Sequence, residues 1–360
     1  MGLLLEVLKK LIWKGQKMRE IILKGTSYQR GCQHGAAFAG EIRRFFDLLI
    51  NLGVKRNEKS RAILHRILKN VEEPFPELRE EMGGIAEGSG MLLDDILLLS
   101  FYPVFGALTS ECTNLGLINE KQGAIHGKTG DSEDFLDPFY LLETVYPDKG
   151  ASFINICMVG TIWTEAGLNS SGLSCGQSSG PTISNQDGRG FPCMVMPYPM
   201  LKNCATVAEA IAFLARFRMS GKGLNIFLSD SKGDTAVIEK SYDNQAARKA
   251  KEGVLWNTNH FIEGELAGYN FTRGKRLAES EARYNYLKKR LEEEKVPHTV
   301  DEMKNILKNH EKPGAGAICR HSNGDNARTH FGAIFIPKER RALIAHGNPC
   351  ENEFIEYKII

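Results

Sequence analysis

The sequence lacks any stretch that approaches 18 consecutive apolar residues, so we expect no membrane-spanning helix. It also lacks an excess of one charge. The 46 Lys and Arg residues oppose 44 Asp and Glu residues, and a formal net charge of +2 gives no electrostatic basis for binding nucleic acid. GxxxxGK[ST] and HExxH are absent, as is a GxGxxG between a strand and a helix. With 42% hydrophobic and 25% charged residues, the composition is that of a globular protein.

Metal-binding motifs are missing as well. Eight cysteines are present, but no two of them form a CxxC pair. Cys319 with His321, and His346 with Cys350, come nearest to the pairing of metal ligands, yet single Cys and His residues beside strands are usually core or surface residues. We therefore expect no bound metal and no organic cofactor.

The N-terminal segment MGLLLEVLKKLIW predicts a short amphipathic helix, because Leu and Ile recur at helical spacing over residues 4–12. Charged residues interrupt its apolar stretch and no small-residue cleavage site follows, which argues against a signal peptide. Docking on the protein body, or on a second copy in a homo-oligomer, is favoured over binding to a membrane. We expect a cytoplasmic protein with mostly reduced cysteines.

The chain changes character near residue 110. Before this point apolar residues recur at helical spacing, with a helix predicted over 58–71 and another beginning at Pro76. After it, short β-rich runs alternate with Gly, Asn and Ser, and helices are predicted only near 206–218, 272–293 and 300–310. Because the strands come in hairpin runs, we predict an α+β layered fold with mostly antiparallel sheets. The boundary has no linker composition, so it indicates a change of layer.

The segment SECTNLGLINEKQGAIHGKTGDSED carries the residues that suggest chemistry. Cys112 opens a predicted strand, a turn follows at 119–123, and a second strand leads to Lys128 and Asp131. A hairpin of this size returns the chain to its starting point, so Asp131 is predicted to lie close to Cys112.

This segment resembles the cysteine branch of the N-terminal nucleophile (Ntn) hydrolases. That branch holds the acyl-CoA:6-aminopenicillanate acyltransferases (peptidase family C45) and the choloylglycine, or bile salt, hydrolases. Further segments agree with the acyltransferase group in the same order, from about residue 24 to 350. They are GTSYQRGCQHG (25–35), EAGLNSSGLS (165–174), WNTNHF (256–261), AICRHSN (317–323) and GNPC (347–350).

The resemblance implies a four-layer αββα fold with two antiparallel sheets. It also implies that the chain cuts itself between Glu111 and Cys112. Residues 1–111 would then be a helical prosegment and residues 112–360 the catalytic chain, held as one compact α/β heterodimer. The new α-amine of Cys112, with an ordinary pKa of about 7.7–8.0, would serve as the base for the Cys112 thiol.

Further roles follow from the same resemblance. Asp131 would hydrogen-bond the α-amine and orient it, and Asn259 would donate its side-chain amide to the oxyanion. Arg320 would lie near the thiolate, favouring its charged form and bracing Asp131. Lys128 stands where bile salt hydrolases carry Arg, so it keeps the charge without the planar fork. Glu111 stands where the penicillin-related enzyme has Gly.

The activity implied is cleavage of a small linear amide through an acyl-cysteine, with the acyl group released to water or to an acceptor amine. Two other interpretations stay open on the sequence. One is an unprocessed cysteine hydrolase in which Cys112 works with a histidine such as His126. The other is a binding protein on a degenerate Ntn scaffold, in which Cys112 is inert.

Overall fold

The computed structural model describes residues 18–105, 111–185, 187–270, 274–310, 316–322 and 327–360. The amphipathic helix predicted over residues 4–12 lies outside these ranges. No single helix within them has the length and apolar character needed to cross a membrane. Pro76–Ser89 taken together with Leu93–Phe105 has both, but the pair is bent by 119°.

Residues 18–105 are helical apart from one strand, as the sequence predicts. The helix expected over 58–71 and the helix start expected at Pro76 are both confirmed. The elements are β1 (Arg19–Gly25), α1 (Ser27–Ala37), α2 (Ala39–Asn51), α3 (Glu58–Glu72), α4 (Pro76–Ser89) and α5 (Leu93–Phe101), followed by a 3-10 turn over Tyr102–Phe105.

The rest of the chain is rich in strands. These are β2 (Glu111–Asn119), β3 (Gly123–Glu133), β4 (Tyr140–Pro147), β5 (Phe153–Met158), β6 (Ala166–Asn169), β7 (Leu173–Asn185), β8 (Phe191–Pro192), β9 (Met219–Asp230), β10 (Thr235–Lys240), β11 (Gln245–Lys249), β12 (Val254–Asn257), β13 (Ala327–Ile336), β14 (Arg341–His346) and β15 (Phe354–Lys358). The helices between them are α6 (Pro197–Asn203), α7 (Val207–Ala215), α8 (Lys275–Lys288) and α9 (Val300–Leu307).

The strands form two sheets. The larger has the order β1-β4-β5-β6-β7-β9-β10-β11, with β8 paired to β9. The smaller has the order β12-β2-β3-β13-β14-β15. All pairings within the described strands are antiparallel except β1 with β4 and β8 with β9. The predicted α+β class with mostly antiparallel sheets is therefore confirmed.

The two sheets stack face to face between layers of helices. Strands β2 and β3 contact β7 and β9, and a Cβ added at Gly176 of β7 would come within 2.2 Å of the Asn114 side chain on β2. The main apolar core packs α2–α7 and the larger sheet together, whereas a second core joins the smaller sheet to α8 and α9. This is the four-layer αββα arrangement.

Glycines allow a close contact between α1 and α4. A Cβ added at Gly31 or Gly35 of α1 would lie 2.1 or 2.4 Å from backbone oxygens of α4. A Cβ added at Gly84 or Gly88 of α4 would lie 2.2 or 2.3 Å from backbone oxygens of α1. The two backbones therefore touch along two turns, which only residues without a side chain permit.

A buried ion pair adds to this contact. Arg30 of α1 donates to Glu81 of α4 at 2.7 Å, and the hydroxyl of Tyr198 on α6 donates to the other oxygen of the same carboxylate at 2.7 Å. Both charged side chains are almost fully buried. Removing one partner of such a buried ion pair lowers the free energy of unfolding by several kcal/mol. The segment GTSYQRGCQHG contains Arg30, so it has a structural role in joining the helical layer.

The glycine contact predicts a contrast between adjacent positions on α4. Gly84→Ala should lower the free energy of unfolding by about 1–3 kcal/mol, because the added methyl group meets backbone that cannot move aside. Gly83→Ala should raise it by about 0.5–1 kcal/mol, because a Cβ there meets nothing within 4 Å and alanine favours the helix. Urea unfolding measures both, and equal effects would contradict this packing.

Candidate active site

The β2–β3 hairpin brings the two ends of its sequence together. Glu111 pairs with Asp131 and Cys112 pairs with Gly130, in a ladder that continues without a shift to Asn119 and Gly123. The turn lies at residues 120–122. The prediction that Asp131 lies close to Cys112 is therefore confirmed.

The backbone of Cys112 is held on both sides. Its N–H donates to the side-chain oxygen of Asn259 at 2.7 Å, and its carbonyl accepts from Arg283 at 2.8 Å. The same Arg283 nitrogen donates to the hydroxyl of Thr113 at 2.9 Å, and the other terminal nitrogen donates to Asn259 at 3.0 Å. Cys112 is only 2% exposed, so this arrangement fixes a buried residue.

The residue before Cys112 lies in a cluster of charges. The carboxylate of Glu111 accepts from Arg320 and lies 3.5 Å from Arg283 and 4.0 Å from Arg276. Arg320 also donates to Glu279 of α8 at 3.0 Å. The resemblance implies a position near the thiolate, and the structure shows Arg320 bound to the side chain of Glu111, the residue before Cys112.

Asp131 is bound by hydroxyl groups. Thr329 of β13 donates to one carboxyl oxygen at 2.7 Å, and Thr129 donates to the other at 3.4 Å. The backbone N–H of Arg320 donates to the Thr329 hydroxyl at 2.8 Å, so Arg320 is connected to Asp131 through that residue. The strand register shifts after Thr329, which leaves His330 as a bulge at this point. Bulges are common beside functional sites because they redirect a side chain.

Lys128 is fully buried between the two sheets. Its ammonium donates to the carbonyl of Gln177 on β7 at 2.7 Å and to the carbonyl of Thr129 at 3.3 Å. It also lies 5.7 Å from the ring centre of Phe331. The single charge is therefore satisfied by carbonyls, an arrangement that does not require the planar fork of an arginine.

Asn259 lies between Cys112 and β7. Its side-chain amide donates to the carbonyl of Ser179 at 2.9 Å, while its side-chain oxygen accepts from Cys112. The backbone N–H of Asn259 donates to Ser280 of α8 at 2.7 Å. This side chain therefore joins the backbone of Cys112 to β7.

With this geometry established, the sequence can be compared with known families. Residues 118–351 match the family model described as acyl-coenzyme A:6-aminopenicillanic acid acyl-transferase. The chain belongs to this family. The match begins six residues after Cys112 and includes Lys128, Asp131, Asn259 and Arg320.

Curated relatives match over part of their length. Acyl-coenzyme A:6-aminopenicillanic-acid-acyltransferase 40 kDa form from Emericella nidulans is 25% identical over 171 residues, which cover 44% of this chain and 46% of that protein. Beta-alanyl-dopamine/carcinine hydrolase from Drosophila melanogaster is 24% identical over 176 residues, which cover 42% and 45%. The chain thus spans less than half the length of these relatives.

Solved structures of Ntn hydrolases are also similar. Penicillin V acylase from Agrobacterium tumefaciens has a TM-score of 0.46 and 15% identity, with 65% of this chain and 83% of that chain covered. The Caenorhabditis elegans ortholog of N-acylethanolamine-hydrolyzing acid amidase has a TM-score of 0.43 and 14% identity, with 63% and 93% covered.

The surroundings of Cys112 in this acyltransferase-family chain oppose a free thiolate. Burial raises the pKa of the Cys112 thiol, and the positive charge of Lys128 lowers it again in part. The carboxyl groups of Glu165 and Asp131 raise it further. The thiol therefore needs a proton acceptor before it can act as a nucleophile.

Sequence reasoning missed several residues of this site. Arg283 and Glu279 lie on α8, where alternating charges predict an ordinary solvated helix face, and Thr329 lies inside an apolar strand. No signal in the sequence distinguishes them, because their burial follows only from the packing of the elements that carry them. α8 buries Glu279, Ser280, Arg283 and Leu287, so its polar residues face the protein.

The buried Asp131 and the half-buried Asp137 predict opposite effects of pH on stability. Burial raises the pKa of Asp131 above its ordinary value of 3.8, although Arg283, Arg320 and Thr329 act against it. Burial also acts on Asp137, but the hydrogen bond and charge of His330 hold the pKa of Asp137 below 3.8. Asp131 therefore stabilises the fold at low pH and loses this contribution as pH rises through its folded pKa. Asp137 stabilises the fold above pH 3.8 and loses this contribution as pH falls.

Urea unfolding of Asp131→Asn and Asp137→Asn over a pH series measures both effects, in a Cys112→Ala background that lacks the thiol. Relative to that parent, Asp131→Asn should gain stability as pH rises above 3.8, and Asp137→Asn should lose stability as pH rises towards 3.8. A difference for Asp131→Asn that falls as pH rises would contradict the raised pKa.

Proposed function

We propose that this chain is a self-processing N-terminal cysteine amidohydrolase or acyltransferase. It would cut itself between Glu111 and Cys112, and residues 112–360 would then cleave or transfer the acyl group of a small linear amide. The observation that carries the proposal is the set of contacts that hold Cys112. Cys112 is buried, and Asn259 binds its backbone N–H while Arg283 binds its backbone carbonyl. The charges of Asp131 and Lys128 act on its thiol.

Self-cleavage needs only groups within the chain and one water. The Cys112 sulfur would attack the carbonyl carbon of Glu111, forming a C–S bond while the C–N bond breaks and the thiol proton passes to the nitrogen. Water would then hydrolyse the thioester to give a Glu111 carboxylate, the free thiol and the α-amine of Cys112. The new carboxylate would lie beside the guanidinium groups that already surround the Glu111 side chain. This attraction would help residues 1–111 to stay bound.

The free α-amine would supply the base that the thiol lacks. Burial raises the pKa of Cys112, so at neutral pH the thiol keeps its proton until a base removes it. An α-amine on the same residue is always within reach and has an ordinary pKa of about 7.7–8.0. The side-chain oxygen of Asn259 accepts from this nitrogen in the uncut chain at 2.7 Å. Asp131, opposite Glu111 in the ladder, is near enough to assist in orienting it.

In the catalytic cycle the thiolate would attack the amide carbonyl of the substrate, and the amide of Asn259 would stabilise the oxyanion. The protonated α-amine would return its proton to the leaving amine. Water would release the acyl group as an acid, or an acceptor amine would take it as a new amide. The named activities of the two curated relatives comprise one acyltransferase and one hydrolase, which supports both outcomes as candidates.

The geometry argues against a Cys–His hydrolase that uses His126. His126 pairs with Gly116, four residues along the strand from Cys112, a separation of about 13 Å at ~3.3 Å per residue. The imidazole contacts Ser174 and stacks on Phe227. Burial, and then the charge of Lys128, lower the pKa of His126 well below its ordinary value. It is a neutral residue of the inter-sheet core.

The intact mass under denaturing conditions tests self-cleavage. The wild-type chain of 40.1 kDa should separate into pieces of about 12 and 28 kDa, in proportion to residues 1–111 and 112–360, and the larger should begin at Cys112. Cys112→Ala should remain whole, because the attacking sulfur is gone. Cys175→Ala, which removes a buried cysteine of β7, should be cut like the wild type.

A wild-type chain that stays at 40.1 kDa after long incubation would contradict self-cleavage. If the Cys112→Ala chain is cut at the same bond, the Cys112 thiol is not the group that cuts it.

Two substitutions of Asn259 test its proposed role at the oxyanion. Asn259→Asp keeps the oxygen that accepts from Cys112 but loses the donating amide, whereas Asn259→Ala loses both. If the amide binds the oxyanion, both should lower the kcat of the cut enzyme by about 10²–10³. Steady-state hydrolysis of p-nitroanilides of several acyl lengths provides the measurement, and an Asn259→Asp enzyme with wild-type kcat would contradict the oxyanion role.

A further inference from the structure

Cys350 meets Cys319 and His321 beside the smaller sheet, although about 30 residues separate it from them in the sequence. The sulfur atoms of Cys319 and Cys350 lie 3.5 Å apart. Nε2 of His321 lies 3.7 Å from the Cys319 sulfur and 3.0 Å from the Cys350 sulfur. These three atoms form a compact triangle whose members are all potential metal ligands.

The triangle has the dimensions of one face of a zinc tetrahedron. Zn–S bonds of about 2.3 Å and Zn–N bonds of about 2.0–2.1 Å imply S–S edges near ~3.8 Å and S–N edges near ~3.6 Å. The observed edges of 3.5, 3.7 and 3.0 Å differ from these values by about 0.6 Å or less. Small side-chain rotations would therefore bring all three atoms onto one ion.

A fourth ligand is close by. His310 follows α9, and its ligand atom lies within 4.8 Å of those of His321 and Cys350. Nδ1 of His310 is 3.0 Å from the carbonyl of Lys308, which can only accept. The Nδ1 atom must therefore carry the proton, and this tautomer leaves the Nε2 lone pair for a metal.

The surroundings match the outer shell of a metal site. Nδ1 of His321 lies 3.5 Å from the carboxylate of Glu351, so Nε2 is the atom directed at the sulfurs. The side-chain amide of Asn348 donates to the Cys319 sulfur at 3.3 Å. A carboxylate behind a ligating imidazole and an N–H donor to a ligating thiolate both orient ligands and stabilise their metal-bound forms.

We propose that Cys319, His321, Cys350 and His310 bind one Zn²⁺ in a tetrahedral Cys₂His₂ site. Two thiolates and two imidazoles are a common donor set for structural zinc, and a closed site of four protein ligands leaves no position for a substrate. The ion would join the end of α9, the segment 316–322 and the loop after β14. Two of its ligands flank Arg320, so it would also hold the backbone beside the Glu111 cluster.

This proposal reverses the expectation drawn from sequence spacing. Cys319 and His321 are too close in sequence for an ordinary finger motif, and their partners come from 310 and 350. The competing chemistry is a disulfide between Cys319 and Cys350, because their sulfurs already touch. A disulfide would remove both thiolate ligands, so the two states exclude each other.

Metal content under reducing conditions tests the site. The full chain, purified with a phosphine reductant and dialysed against Zn²⁺ and then buffer, should retain about one zinc per chain by atomic emission. Cys350→Ser and His321→Ala should retain almost none. Cys32→Ser, which alters a half-buried cysteine of α1, should retain the wild-type amount. Cys112→Ala should also bind zinc fully, which keeps this test independent of the proposed activity.

Two measurements on chains with all four ligands keep the test decisive if the ligand variants fail to fold. Co²⁺ should give the intense visible absorption of a tetrahedral thiolate complex, and Zn²⁺ should protect the half-buried Cys350, but not the half-buried Cys32, from iodoacetamide. Asn348→Ala should weaken zinc affinity by about 10–100-fold, since it removes only the outer hydrogen bond. A reduced wild-type chain that binds no zinc and no Co²⁺ would overturn the proposal, with or without a Cys319–Cys350 disulfide in the oxidised chain.

Discussion

The buried charge cluster around Glu111 is the interaction on which the site depends. Taking a carboxylate out of water is costly unless cations and hydrogen bonds replace the solvent, and here Arg320, Arg283 and Arg276 do so. Arg283 then also holds the carbonyl of Cys112, so the charge cluster and the thiol share one side chain. Because α8 supplies Arg283, its packing on the smaller sheet fixes the start of β2.

The sequence predicts the part of this site that is local. Cys112 and Asp131 belong to two strands joined by a short turn, so their pairing follows from strand length and turn position alone. The layered α+β class is predictable for a similar reason, since hairpin runs lead to antiparallel sheets. The strands β1 and β12 were not predicted, because each is paired with a distant part of the chain.

Long-range neighbours account for what the sequence could not predict. Arg283 lies 171 residues from Cys112, and nothing in its helix distinguishes it from exposed charges until the helix is packed. Cys319 and Cys350 meet only because β13 and β14 return the second cysteine to the first. The glycines of GTSYQRGCQHG were visible as a motif, but their reason, the backbone contact of α1 with α4, appears only in three dimensions.

If Cys112 is the nucleophile, it carries the acyl group during turnover. Rapid mixing of the cut enzyme with a p-nitrophenyl ester, acid quenching and mass spectrometry of the larger piece would measure this directly. We expect the mass of the N-terminal peptide that begins with Cys112 to increase by one acyl group. The acyl group should be lost again when hydroxylamine or an acceptor amine is added. Ester turnover with no acylated Cys112, or with the acyl group on another residue, would contradict it.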